Sequence, residues 1–253
     1  MTIALRSQLK QRVSPETSFG PFRFLEALPW LVLAAAMRVI AFTGGAIALP
    51  AILIASIAVL HAFLVVAQRS IERIDGRTSL GELDFREQSR LTFAILWQTL
   101  RLMFIAALVL VALGLKSFAP GMFGGIDGTA FDVVTETSKF WSALVAALIL
   151  LMIVDAEQNA GQPCLIRAMK EFVRRGAWFA AAVLFLAVAY LGLSFGQGLV
   201  RGLIWNFWQT SAASQFVKNL IYFVFIFGFA MLRLWVSLAV LTYGLKLSYT
   251  LRD

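Results

Sequence analysis

The sequence predicts an all-α protein, a polytopic integral membrane helix bundle, from its composition and from the length of its apolar segments. Apolar residues make up 60% of the 253-residue chain and the mean hydropathy is +0.82, whereas soluble proteins contain about 45–50% apolar residues. Several apolar tracts reach the roughly 20 residues that a helix needs to cross a bilayer. Because backbone groups in lipid must be hydrogen bonded within the segment, these tracts are expected to be helices.

The hydropathy pattern predicts six transmembrane helices. The first apolar tract is long enough for two spans and contains Thr43, Gly44 and Gly45 near its middle, which indicates a tight turn between two helices. Pro50 then falls near the start of the second helix, where its missing N–H group costs little. The predicted spans are residues 24–43, 46–67, 98–118, 139–155, 176–196 and 217–241. They form one domain, residues 24–246, between an N-terminal segment (1–23) and a C-terminal tail (247–253).

The distribution of Lys and Arg predicts the orientation of this multi-pass bundle. If the N-terminus is cytoplasmic, the opposite side holds Lys116, Lys139, Arg201 and Lys218, and most of the 22 Lys and Arg residues are cytoplasmic. Since positively charged loops are retained in the cytoplasm, both termini are expected there, with the protein in the plasma membrane. The same loops account for the net charge of +8, so we predict no nucleic-acid partner.

Short amphipathic cytoplasmic helices are expected before the third and fifth spans. The clearer one has an apolar stripe along one side. Its basic side chains are expected to contact lipid headgroups or a partner protein. The apolar stripe comprises Leu165, Ile166, Met169, Phe172 and Val173, and the basic residues are Arg167, Lys170, Arg174 and Arg175.

A weak internal repeat links the two cytoplasmic loops. The sequence GRTSL at residues 76–80 corresponds to GQPCL at 161–165, and Arg90 corresponds to Arg175. A chance similarity between two basic loops is the alternative. With the C-terminal tail ending in Leu-Arg-Asp, these features resemble a group of bacterial six-span proteins that includes the membrane domain of some glycerophosphodiester phosphodiesterases and domains of unknown function. The resemblance implies a bacterial inner membrane protein, but nothing in the chain matches the soluble phosphodiesterase domain.

Three arginines fall inside apolar tracts, where a charge at the bilayer centre costs at least about 2.5–3.5 kcal/mol. Arg101 follows Trp97 near the cytoplasmic end of its span, so its side chain is expected to extend to the interface. Arg38 lies near the outer turn and is expected to contact a lipid phosphate or a partner subunit. Arg233 lies deeper and requires a partner within the protein.

The fourth span is too short for the roughly 30 Å hydrocarbon core. Asp155, the acidic residue at its end, is therefore expected to be drawn towards the membrane. We therefore predict that Asp155 pairs with Arg233 or Arg101. Such a cluster would consist either of ion pairs that lock helices together or of a site for an anionic headgroup or a proton relay, because His61 can titrate near neutral pH. The predicted cluster lies in the cytoplasmic leaflet and comprises Glu26, His61, Arg101, Asp155 and Arg233.

The residues needed for metal or catalytic chemistry are sparse. Cys164 is the single cysteine and His61 the single histidine, so neither a zinc nor a haem ligand set is expected, and we predict no metal, no cofactor and no catalysis. Glycines spaced four apart at 192 and 196, and at 198 and 202, are interpreted as points of close helix approach inside the bundle, with a dimer contact as the alternative.

Two functional classes are compatible with this sequence. The first is a non-catalytic scaffold, assembly factor or accessory subunit of a membrane complex, favoured by spans with few polar residues and by the basic amphipathic segments. The second is a transporter or a lipid- or anion-handling protein, favoured by the repeat and the buried arginines. The expected partners are membrane lipids and other membrane-protein subunits.

Overall fold

A computed structural model describes residues 26–42, 44–73, 83–123, 136–159 and 161–250. Within these ranges the protein contains α-helices, two 3₁₀ segments and no β-strand, which confirms the all-α prediction. The 3₁₀ segments are Gly45–Ile47 and Lys116–Phe123. The α-helices are α1 (Leu28–Phe42), α2 (Ala48–Arg73), α3 (Phe85–Ala112), α4 (Glu136–Gln158), α5 (Leu165–Arg174), α6 (Gly176–Thr210) and α7 (Gln215–Thr250).

Five of these helices, α2, α3, α4, α6 and α7, are long and apolar enough to cross a membrane. The helix at the first predicted span, α1, is also apolar but shorter, with 15 residues. The predicted N-terminal segment, residues 1–23, lies outside the described residues. The structure therefore supports a multi-pass membrane protein with five long apolar helices.

The turn between α1 and α2 forms where the sequence predicts it. Gly44 and Gly45 have φ angles of 78° and 75°, a region that glycine enters without the steric cost of a Cβ atom. The backbone N–H of Gly44 donates to the carbonyl oxygen of Ala41 at 3.1 Å. Pro50 lies in the first turn of α2, so it interrupts no hydrogen bond inside the helix.

Several helix boundaries differ from the prediction, most of all the start of α3 and the end of α6, and α7 continues to Thr250 into the predicted C-terminal tail. Helix α3 begins at Phe85, well before residue 98, because Asp84 and Glu87 form a capping box in which the Asp84 backbone N–H donates to the Glu87 carboxylate at 3.1 Å. The amphipathic segment predicted before the third span is therefore part of the same helix as the span and is not a separate short helix. Helix α6 continues to Thr210 rather than ending at residue 196. Its 35 residues span about 52 Å at about 1.5 Å per residue, so α6 extends past a ~30 Å hydrocarbon core.

Helix α4 is the centre of the bundle and contacts α3, α5, α6 and α7. Of its most apolar 18-residue window, 78% is buried inside the protein. Small residues such as Ala143, Ala146 and Ala147 are fully buried and bring the neighbouring helices close. A helix that is apolar on every side is expected to be surrounded by protein, and this is the place that α4 takes.

The antiparallel hairpin of α6 and α7 is closely packed at Gly244. A Cβ atom added there would overlap the Cβ of Ala182 on α6. In contrast, nothing lies within 4 Å of the Cβ position at Gly192, Gly196, Gly198 or Gly202. The prediction that these four glycines bring helices together within the bundle is therefore wrong.

Candidate functional site

The five residues of the predicted cluster are distributed over four separate surroundings. Glu26 and His61 line one cavity, whereas Arg101, Asp155 and Arg233 make different contacts on different helices. The prediction was based on depth along the membrane normal. Depth does not specify which side of a helix a residue occupies or which helix it faces, and the cluster as a single unit is therefore not assembled.

Asp155 holds the connection between α4 and α5. Its carboxylate accepts a hydrogen bond from Arg167 Nε at 2.8 Å, from Asn159 Nδ2 at 3.0 Å and from the backbone N–H of Cys164 at 2.9 Å. Arg167 also donates to the carbonyl oxygen of Gln162 at 2.9 Å. The hydrogen bond to Asp155 raises the pKa of the Arg167 guanidinium.

The prediction that Asp155 pairs with Arg233 or Arg101 is therefore wrong. The ion pair of Asp155 is with Arg167, which the short connection after α4 places beside the carboxylate. Because α5 begins only a few residues after α4 ends, the Arg167 guanidinium can neutralise the Asp155 carboxylate.

Arg233 is buried in the interface of α6 and α7, with 1% of its surface exposed. Its Nη2 donates to Ser194 Oγ at 3.1 Å, and its guanidinium carbon lies 5.4 Å from the centre of the Tyr190 ring. Ser237 Oγ donates to the Arg233 carbonyl oxygen, so the Tyr190 hydroxyl is the donor in its 2.6 Å hydrogen bond to Ser237. These polar contacts join the two helices of the hairpin.

Arg101 and Arg38 have different degrees of exposure. The Arg101 side chain is exposed, with its guanidinium carbon 5.2 Å from the centre of the Trp97 ring. This geometry is compatible with the predicted extension towards the interface. Arg38 is half-buried on α1.

Helix α5 divides its apolar residues between two environments. Leu165 and Ala168 are buried against the bundle. Ile166, Met169 and Val173 are 65%, 47% and 79% exposed. Three of the four basic residues proposed for lipid or partner contact are also exposed: Arg167, Lys170 and Arg174.

Arg175 is the exception among these basic residues, because it is 4% exposed. Its Nη2 donates to Glu171 at 2.8 Å and its Nη1 donates to Ser248 near the end of α7 at 3.3 Å. The prediction of lipid or partner contact is wrong for Arg175, since it lies at the junction of α5 and α6 and is directed into the bundle.

Glu26 and His61 line a cavity of about 280 Å³ at one end of α1, α2 and α3. His61 is 4% exposed, and its ring centre lies 4.2 Å from that of Trp30 and 5.8 Å from that of Phe85. The Trp30 and Phe85 rings are nearly parallel, with an interplanar angle of 10° and centres 5.9 Å apart. The complete lining is Glu26, Trp30, His61, Val65, Gln68, Phe85 and Gln88.

Sequence reasoning did not identify Trp30, Gln68 and Phe85 as part of this group. The sequence feature that could have identified Trp30 and Gln68 is helical spacing, because Glu26 and Trp30 are four residues apart, and His61 and Gln68 are seven apart. Residues at these spacings share one face of a helix. The spacing alone could not show that the three faces meet.

Among the described residues, no three His, Cys, Asp or Glu side chains come together as a metal site would require. Within the ranges that the structure describes, the polar contacts thus include an α6–α7 network, an α4–α5 connection and one aromatic cavity. No protein-family model, curated protein or solved structure matches the chain. The resemblance to the phosphodiesterase-associated membrane domains therefore stays a prediction.

Proposed function

We propose that this protein is a six-span, non-catalytic scaffold, assembly factor or accessory subunit of a membrane complex, with both termini in the cytoplasm. The single observation that carries the proposal is the position of α4. Its buried positions from Ala143 to Val154 are apolar, and they occupy the axis of the bundle. A transporter of polar solutes needs polar groups and space along such an axis.

The buried polar groups also support a structural role. Arg233 and Tyr190 form bonds between α6 and α7, and Arg175 bonds to the end of α7. Each of these contacts joins one helix to another within the bundle. This is the pattern expected of groups that fix helix positions, because a buried polar group without a partner is costly in lipid.

The exposed side of α5 is the best candidate for contact with membrane lipids. Ile166, Met169 and Val173 are exposed apolar residues, while Arg167 and Lys170 are exposed cations beside them. A helix of this kind inserts its apolar side chains at the level of the headgroups and attracts anionic lipids through its cations. In this proposal α5 lies on the cytoplasmic leaflet and sets the depth of the bundle.

Extraction of the full-length protein with its surrounding membrane, by a lipid-solubilising polymer, tests the function. A scaffold or accessory subunit is expected to retain another membrane protein in a fixed ratio. The same protein reconstituted alone into liposomes is expected to carry no solute across the bilayer. Recovery without any protein in a fixed ratio, together with solute flux in liposomes, would contradict the proposal and favour a transporter.

The role of α5 is tested separately with Val173→Asp, which places a charge at the most exposed apolar position of the helix. We expect weaker association of a peptide covering residues 161–176 with vesicles of phosphatidylglycerol. Gln162→Asp adds the same charge at an exposed position before the helix and is the matched control. Equal binding of the two variants would refute a role for the apolar side of α5.

A further inference from the structure

The exposed face of α3 carries a cation, Arg101, in a row of large apolar side chains. Exposed residues recur every three or four positions along this helix, which places them on one face. Only 28% of the most apolar 18-residue window of α3 is buried inside the protein, so most of this face contacts the membrane rather than the bundle. The row comprises Phe93, Trp97, Arg101, Phe104 and Leu108.

The Arg101 guanidinium has hydrogen-bond donors that the protein does not use. Its guanidinium carbon lies 5.2 Å from the centre of the Trp97 ring, and in the described part of the chain it forms no hydrogen bond or ion pair. A guanidinium has five N–H donors, and a ring face attracts its charge but does not replace an oxygen acceptor. The Trp97 indole N–H likewise donates to no described residue. These two side chains therefore suit a negatively charged group with several oxygen atoms.

The depth of Arg101 in the membrane follows from the charge at the far end of α3. Lys116 is exposed in the 3₁₀ segment after the helix, and such a charge stays outside the hydrocarbon core. At about 1.5 Å per residue, a ~30 Å core that ends at Lys116 begins at about residue 96. The Trp97 ring is then at the edge of the core, and the Arg101 backbone is about 7 Å inside it. Because the guanidinium lies over Trp97, one turn nearer this edge, the side chain is directed towards the headgroups.

We propose that Trp97 and Arg101 bind the phosphate of a glycerophospholipid at the membrane surface nearest the start of α3. The guanidinium donates two parallel hydrogen bonds to phosphate oxygens, and the indole N–H supplies a further donor. These bonds are strengthened by the low dielectric constant at the edge of the core. The inference goes beyond the proposed scaffold function and does not depend on it, and the site is on a different helix from the lipid contact proposed for α5.

A carboxylate on a helix of another membrane protein is the alternative partner for a cation at this depth. Such a carboxylate would meet an arginine that extends sideways from α3, at the level of its own backbone. The contact with Trp97 instead holds the guanidinium along the helix, on the side nearer the membrane surface where phosphates lie. The direction of the side chain therefore favours the lipid.

The site is tested with the full-length protein in nanodiscs that contain equal parts of phosphatidylglycerol and monogalactosyldiacylglycerol with the same acyl chains. The galactolipid has no phosphate, so the two lipids differ in the group that Arg101 is proposed to bind. Lipids that stay bound after mild release are counted by native mass spectrometry. We expect preferential retention of phosphatidylglycerol, an about tenfold loss of this preference in Arg101→Gln, and an about threefold loss in Trp97→Phe, which keeps an aromatic ring but lacks the N–H group.

Two control variants locate the effect. Arg90→Gln removes a charge from the same exposed face, about 9 Å outside the edge of the core, and Trp205→Phe changes a ring that is as exposed as Trp97, at 56%. Both variants are expected to keep the preference of the unmodified protein. Arg101→Lys keeps the charge without the paired donors and should lose only part of the preference, which gives a second measurement if Arg101→Gln does not fold.

The absence of any preference for phosphatidylglycerol in the unmodified protein would overturn the proposal. Equal losses in Arg101→Gln and Arg90→Gln would also overturn it, because the effect would then be one of net charge. Unchanged lipid retention in Arg101→Gln, together with loss of a co-purifying subunit, would assign Arg101 to a carboxylate of a partner protein instead.

Discussion

The tight contact between α6 and α7 makes the substitution Gly244→Ala a sensitive test of the fold. The added Cβ would overlap the Cβ of Ala182, while Ala182 Cα and Phe179 Cδ2 would both lie 3.8 Å away. An alanine Cβ has no rotamer through which it can avoid the overlap. The two helices must therefore separate along the part of the hairpin that Arg175 and Ser248 join.

The expected cost follows from two opposing effects. Replacement of Gly by Ala inside a helix stabilises it by about 1 kcal/mol, whereas an extra methyl group in a well-packed interface costs about 1–3 kcal/mol. Because both overlapping atoms are fixed to backbone, the upper part of that range applies. We expect the free energy of unfolding to fall by about 2 kcal/mol.

The measurement is reversible unfolding in mixed micelles with increasing dodecyl sulfate, followed by circular dichroism. Gly228→Ala is the control on the same helix, since nothing lies within 4 Å of its Cβ position, and it is expected to be neutral or stabilising. Combining Gly244→Ala with Ala182→Gly removes the overlap and is expected to restore stability, with a coupling energy of about 2–3 kcal/mol. If Gly244→Ala stabilises the protein as much as Gly228→Ala does, the close contact is refuted.

Three further predictions concern hydrogen bonds and orientation. Tyr190→Phe removes a buried hydroxyl that bonds across the hairpin, and should lower the free energy of unfolding by about 1 kcal/mol, whereas Tyr243→Phe, at an exposed position, should have no effect in the same titration. Asp155→Asn should reduce stability by about 1–3 kcal/mol in the same titration, because the Asp155 side chain is only 11% exposed and both of its carboxylate oxygens accept hydrogen bonds, so that the amide NH2 would face another donor. A membrane-impermeant maleimide should label the single cysteine, Cys164, in inverted vesicles but not in intact cells, and the opposite is expected for Ala212→Cys in a Cys164→Ser background; the reverse pattern would contradict cytoplasmic termini.

Much of the helix arrangement along the chain was predictable, because it depends on local chemistry. The tight turn at Gly44 and Gly45 forms as expected, since the glycines interrupt an apolar tract that is too long for one span. The end of α6 at Thr210 was not predicted. Hydropathy marks the part of a helix that lipid can surround, whereas the helix itself continues as long as its backbone hydrogen bonds are made.

The candidate site was predicted only in part. Glu26 and His61 were expected to lie close together, and they line one cavity. Asp155 was assigned a distant partner, although Arg167 lies in the next helix. A sequence gives the depth of each charge, but the choice between two cations at similar depth depends on how the helices are rotated about their axes.

The sequence by itself determined that this chain is helical and suited to a membrane, because apolar content and span length follow directly from the residues. Only the tertiary structure decided that α4 lies at the centre, that Gly244 rather than Gly192 or Gly196 packs closely against a neighbouring helix, and that Trp30 meets His61. The physical reason is that lipid and apolar protein present nearly the same environment to an apolar helix. Hydropathy therefore cannot distinguish the two, and the helix neighbours are set by side-chain shape and by a few buried hydrogen bonds.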